Sequence, residues 1–186
     1  MLRIIAGSAR GTVLEAPKGR NTRPTLGSTR ESIFNVLANV GIIDTRVLDI
    51  FAGTGALGLE ALSRGAAEAV FIDKATGSII RKNAKKCHVE DKVKVLGGDV
   101  MRSLASLQGQ TFDYLFMDPP YDAGYEKPVL LALKKSGLID RFTIIIIEAD
   151  RDTEFSFLKG IGFEMFKYKA YKTNAHAFIA MVEEEA

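Results

Sequence analysis

Residues 46–65 read RVLDIFAGTGALGLEALSRG, and their order is that of a strand, a tight turn and a helix. RVLDIF is apolar and β-prone, so a strand is expected over 46–51. GALGLEALSRG then predicts a helix that Gly65 stops. Between them Gly53, Gly55 and Gly58 stand in literal G-x-G-x-x-G spacing, the fingerprint of a nucleotide-binding strand-turn-helix. Taken alone, that spacing favours a dinucleotide such as NAD, whose pyrophosphate a helix N-terminus attracts. Asp49 argues otherwise, because a carboxylate at the strand tip would face the pyrophosphate as a like charge. A cofactor carrying an ammonium and a sulfonium would instead gain an ion pair, and S-adenosylmethionine is such a cofactor.

The same grammar repeats downstream. Strands are expected at AVFID (69–73), KVKVL (92–96), YLFM (114–117) and TIIIIE (143–148). Helices are expected at TGSIIRKNAKKC (76–87), Pro128–Ser136 and, briefly, EFSFLKG (154–160). The chain closes with two extended runs, FEMFKYKAY (163–171) and HAFIAMV (176–182), which only KTNA separates, so they predict an antiparallel hairpin. Strands alternating with helices imply a doubly wound α/β fold with a mostly parallel, seven-stranded, Rossmann-like sheet. In such sheets ligands sit beyond the carboxyl ends of the strands. Asp73 ends the second strand about twenty residues past the glycines, where a carboxylate takes ribose hydroxyls, a role that serves NAD equally well. Asp99 follows the third strand and could accept from an adenine amino group.

The fourth strand ends in Asp118, Pro119, Pro120 and Tyr121. The prolines lack the N–H groups that a ladder needs and fix φ. The Asp118 carboxylate and the Pro119 carbonyl therefore become two acceptors in one rigid arc. That arc suits an exocyclic amino group, which brings two N–H donors. Tyr121 adds a flat face on which a base could stack.

Ahead of the sheet lies a basic arm. Leu2–Ile5 and Thr12–Leu14 predict a β-hairpin, residues 16–27 a loop, and Ser28 with Glu31 a capping box that opens an amphipathic helix ending before Gly41. Residues 1–30 hold six bases (Arg3, Arg10, Lys18, Arg20, Arg23, Arg30) against Glu15, a net +5, so a total of +2 leaves −3 for the remainder. A basic arm on a mildly acidic body suits a phosphate-bearing partner.

With 186 residues, 47% of them hydrophobic and 26% charged, one globular domain is expected, with 1–41 as a substrate-binding extension. The start MLRIIAGSARG does not have the pattern of a signal peptide, and a cytoplasmic monomer is expected. One cysteine and two histidines provide no zinc set, and no metal is expected.

RVLDIFAGTGALGLEALSRGA followed by FDYLFMDPPY resembles the class I S-adenosylmethionine-dependent methyltransferases that modify exocyclic amines. LRIIAGSARG, TRPT (22–25) and RESIFN (30–35) narrow the resemblance to the RsmD-like family, guanine-N2 methyltransferases of bacterial small-subunit (16S) ribosomal RNA. The resemblance implies that Asp49, Phe51, Gly53, Gly55 and Gly58 wrap the methionine end of S-adenosylmethionine, with Asp73 on the ribose and Asp99 on the adenine. It further implies that Asp118 and Pro119 orient the target nitrogen, that Tyr121 lies against the base, and that Arg3, Arg10, Arg23 and Arg30 lie near ribosomal RNA or a small-subunit assembly particle. Gly27–Ser28 and Tyr171–Lys172 differ from the family's usual residues at those places. The residues alone do not choose guanine over the amino groups of adenine or cytosine in DNA or other RNA. An NAD-dependent oxidoreductase, resting on the glycines and Asp73, and a non-catalytic RNA-binding module are the readings from other classes.

Overall fold

A computed structural model describes residues 1–17, 27–120 and 123–182. Among the described residues, seven strands form one sheet in the order β3-β2-β1-β4-β5-β7-β6. They are β1 (Arg46–Ile50), β2 (Glu68–Ile72), β3 (Val93–Leu96), β4 (Tyr114–Met117), β5 (Ile144–Asp150), β6 (Phe163–Ala170) and β7 (Asn174–Met181). The first five run parallel, and β7 joins β5 and β6 antiparallel. The order reverses between β1 and β4, so the crevice of this doubly wound sheet opens at their carboxyl ends.

Alternation along each strand divides the core into two layers. Leu48, Ile50, Leu115, Met117, Ile145 and Ile147 face one way, toward α4 (Val100–Ala105) and α5 (Glu126–Ser136). Val47, Phe71, Tyr114, Phe116, Ile146 and Phe178 face the other, toward α1 (Gly27–Leu37), α2 (Ala56–Ser63) and α3 (Gly77–Lys86). Strands covered on both faces read as continuous apolar runs, which is why YLFM and IIII carry no alternation of their own.

Two expectations need correction. Residues 154–160 do not form a helix; only a 3-10 turn at Lys159–Ile161 does, because Phe155 and Leu158 are drawn into the core from an irregular segment. The helix α4 was not expected from sequence, and its six residues are too few for a periodic pattern to stand out. The expected N-terminal hairpin forms around one antiparallel bridge, Arg3 with Val13, flanked by the Ile4 N–H donating to the Thr12 carbonyl and the Leu14 N–H to the Leu2 carbonyl, both at 3.0 Å.

The hairpin is also tied to α2. The Ile5 and Ala6 N–H groups donate to the two Glu60 carboxylate oxygens at 2.7 and 3.0 Å, and Ser63 Oγ accepts from the Ala9 N–H at 2.9 Å. Gly7, at φ +84°, passes so close to α2 that a Cβ there would lie 1.7 Å from the Ser63 carbonyl oxygen. Only glycine meets both demands. The loop residue Arg23 lies outside the described residues.

Candidate active site

The first turn of the nucleotide-type unit leaves β1 at Phe51, which adopts φ +60°, a left-handed conformation costly for a side chain with a Cβ. Gly53 and Gly55 continue the turn at φ +55° and +76°. Gly58 serves packing: a Cβ there would meet the Phe71 ring at 2.4 Å, so α2 approaches β2 only over a glycine.

Asp49 is not at the strand tip. It lies one residue inside β1, on the α2 face and 3% exposed, and its Oδ2 accepts the Gly58 N–H at 2.9 Å. Burial pushes this carboxyl well above the usual range; the Gly58 N–H pulls it back, and Asp118 and Asp73 push it up further. Asp118 and Asp73 thus both act on Asp49 across the crevice.

Asp73, just past β2, accepts the Gly53 N–H at 2.9 Å through Oδ2 and the Ala75 and Thr76 N–H groups at 2.8 and 2.9 Å through Oδ1. It therefore pins the glycine turn to the second strand's tip, half-buried at the crevice. Asp99 is exposed and caps α4, where Oδ1 accepts the Arg102 N–H at 3.0 Å; the cap does not use its second oxygen.

Asp118 continues the ladder beyond β4, its N–H donating to the Ile50 carbonyl at 3.4 Å. The Asp-Pro-Pro corner therefore lies beside the Phe51 turn. By surface area Asp118 is only half-buried, yet protein surrounds enough of it that burial, with Glu148 adding, pushes its carboxyl up to about 8. Pro119 is buried and Pro120 exposed. Tyr121 lies outside the described residues.

Sequence reasoning missed several residues here. The Tyr125 ring packs on Phe51 at 5.0 Å between centroids, making an aromatic wall across the corner. On the next strands stand Glu148, 7% exposed, and His176, fully buried. Glu148 Oε1 accepts from Asn174 Nδ2 at 2.7 Å, and Oε2 lies 3.4 Å from His176 Nε2. No local motif marks these residues, since Glu148 ends an isoleucine run and His176 opens another apolar run. Only the β5–β7 pairing, which sets Glu148 opposite His176, brings them to the site.

At the arm, exposed Arg3 and Arg10 share the wall of a cavity of about 490 Å³ with Arg30 and Glu31. Arg30 is 1% exposed, and its Nη2 donates to the Arg3 carbonyl at 2.7 Å. Among the described residues no cluster of three or more His, Cys, Asp or Glu could hold a metal, and no helix is long and apolar enough to cross a membrane.

The donor set suits a cationic, ribose-bearing cofactor. Asp49 and Asp73 flank a glycine turn whose backbone leaves room for close approach, as an ammonium and a sulfonium require.

Comparison with known proteins agrees in fold and in kind. The family described as conserved hypothetical protein 95 matches residues 2–180. The ribosomal RNA small subunit methyltransferase D of Escherichia coli (strain K12) is 38% identical over 151 residues, 80% of this chain and 75% of that protein. The solved structure of a hypothetical protein from Thermus thermophilus superposes with a TM-score of 0.81 at 28% identity, covering 99% of this chain and 100% of that one. An RNA methyltransferase from Salinibacter ruber, in complex with S-adenosyl-L-homocysteine, shares the fold at a TM-score of 0.65 and 16% identity, over 88% of this chain and 96% of that one.

Proposed function

The chain belongs to the family described as conserved hypothetical protein 95, and from that premise we propose that it transfers a methyl group from S-adenosylmethionine to the N2 amine of a guanine in small-subunit ribosomal RNA. The RsmD-like resemblance and the Escherichia coli relative named for the small ribosomal subunit point the same way. The observation that carries the reading is the convergence of Asp49, Asp73 and Asp118 on a crevice where Asp118 and Pro119 stand beside the glycine turn. A dinucleotide pyrophosphate would gain no ion pair from these acidic groups, which weighs against the oxidoreductase reading.

Asp49 and the Phe51–Gly55 turn would hold the methionine end, Asp73 the ribose and Asp99 the adenine. When bound, the cofactor supplies an electrophilic methyl on a sulfonium. An exocyclic amine is a poor nucleophile, because its lone pair is delocalised into the ring. Asp118 and the Pro119 carbonyl, accepting its two N–H donors, draw the nitrogen toward tetrahedral geometry and aim the lone pair at the methyl. Positioning of this kind supplies several kcal/mol of a barrier. Asp118 then takes the proton that the methylated, now acidic, nitrogen releases. A base stacked in RNA must first be extruded, and stacking on Tyr121 would offset part of that cost. Arg3, Arg10 and Arg23 would hold the phosphate backbone, with Arg30 fixing the arm on which they stand.

The test is labelled-methyl transfer to small-subunit RNA and particles from a strain lacking this protein. The expected result is incorporation that maps to N2 of one guanine. Incorporation at adenine or cytosine, or RNA binding with no incorporation, contradicts the proposal.

A further inference from the structure

The row of polar side chains next to Asp118 has a chemistry that the methyl transfer does not by itself require. On the α1 face of the sheet, Phe116, Ile146 and Phe178 form one pleat across β4, β5 and β7. One pleat further toward the crevice, the same alternation places Asp118, Glu148 and His176 in line, with Lys169 of β6 opposite His176. The Lys169 ammonium donates to Ser32 Oγ of α1 at 2.8 Å, so that end of the row is fixed. Glu148 is fixed as well, by Asn174 at one oxygen and His176 at the other.

The row thus sets two carboxylates, one buried and one half-buried, on neighbouring strands at the place where the base must enter. Like charges so placed oppose each other, and Glu148 adds to the burial that favours a proton on Asp118. A group bringing two adjacent donors removes that conflict; one bringing a donor beside a lone pair does not. Guanine presents N1–H next to its N2 amine. Adenine and cytosine present an amine next to a ring nitrogen that only accepts.

We propose that Glu148 selects the target base: it receives guanine N1–H while Asp118 and Pro119 hold the amine, and it repels the ring-nitrogen lone pair beside the amine of adenine or cytosine. This rests on the methyltransferase reading above and supplies the base choice that motifs alone leave open. Asn174 and His176 act through Glu148 as positioning residues.

The test compares RNA carrying guanine with RNA carrying 2-aminopurine at the target position. The analogue keeps an amine at the same place but has an accepting N1. Wild-type protein should prefer guanine by at least about 100-fold in kcat/KM, as a site built for a donor rejects an analogue lacking it. In Glu148→Gln the amide can turn its NH2 toward the accepting nitrogen, so the preference should fall by at least about tenfold while S-adenosylhomocysteine affinity is unchanged. An unmoved preference, or equal loss on both RNAs, overturns the assignment. Should the variant fail to fold, the wild-type comparison still decides, because equal rates on the two RNAs contradict it. Failure of wild-type protein to methylate the guanine RNA at all would instead count against the parent reading.

Discussion

Asp118 concentrates the chemistry into one carboxyl, and its ionisation has measurable consequences. Glu148 on β5 lies nearest in effect, with Asp49 on β1, Asp73 just past β2, His176 on β7 and Lys169 on β6 also in the same crevice and row. Burial and Glu148 hold the carboxyl up to about 8, against an ordinary value near 4. Only the ionised form accepts from an amine, so kcat/KM should climb as pH rises from 6.5 through 8 and then level. A profile flat over that range would contradict the assignment. Linkage gives a second consequence. The folded chain binds this proton more tightly than the unfolded chain, so the stabilisation present below about pH 4 is lost as pH rises toward 8. Asp118→Asn should therefore be more stable than wild type at pH 8.5, by roughly 1–3 kcal/mol, and gain little at pH 4.5; urea titrations at the two pH values check this. At this scale the sequence was legible where a residue directly follows a strand, as Asp73 and Asp118 do. It was illegible at Glu148 and His176, whose meaning comes from a strand pairing between residues 28 positions apart.

At the scale of elements, two close approaches hold the site in register. Gly58 lets α2 settle on β2 and frees its N–H for Asp49, and Gly7 lets the arm settle on α2. Gly58→Ala forces the Phe71 ring to move and should cost about 1–3 kcal/mol. Gly7→Ala meets backbone at a positive φ and should cost at least as much; thermal melts of both variants measure it. The spacing of Gly53, Gly55 and Gly58 is enough to tell their roles, since each glycine of that motif has a separate geometric duty. The expected helix over 154–160 failed for the opposite reason. Phe155 and Leu158 enter the core from this segment, and an irregular backbone buries them as well as a helix would.

For the whole molecule, the sheet order puts the cofactor turn at the β1 tip and the amine corner at the β4 tip, on adjacent strands, so reactants brought to each must meet. The alternating pattern of strands and helices implied a doubly wound sheet, and the short link between the last two runs implied their antiparallel pairing; the insertion of β7 between β5 and β6 was not legible in the sequence. Charge is divided on the same plan, with +5 in residues 1–30 and −3 elsewhere. Neutralising Arg3 and Arg10 together should weaken RNA binding and lower the slope of log affinity against log salt by about 2. An unchanged slope in filter binding from about 50 to 200 mM salt would remove the arm from the substrate site.

The most direct measurement is a paired one on Asp118→Ala: the rate of methyl transfer to small-subunit RNA, and the calorimetric affinity for S-adenosylmethionine. Turnover should fall at least about 1,000-fold, as when a transition-state contact is removed, while cofactor affinity stays within about threefold of wild type. Equal loss of both would place Asp118 in the cofactor site alone, and retained turnover would remove the Asp-Pro-Pro corner from the chemistry.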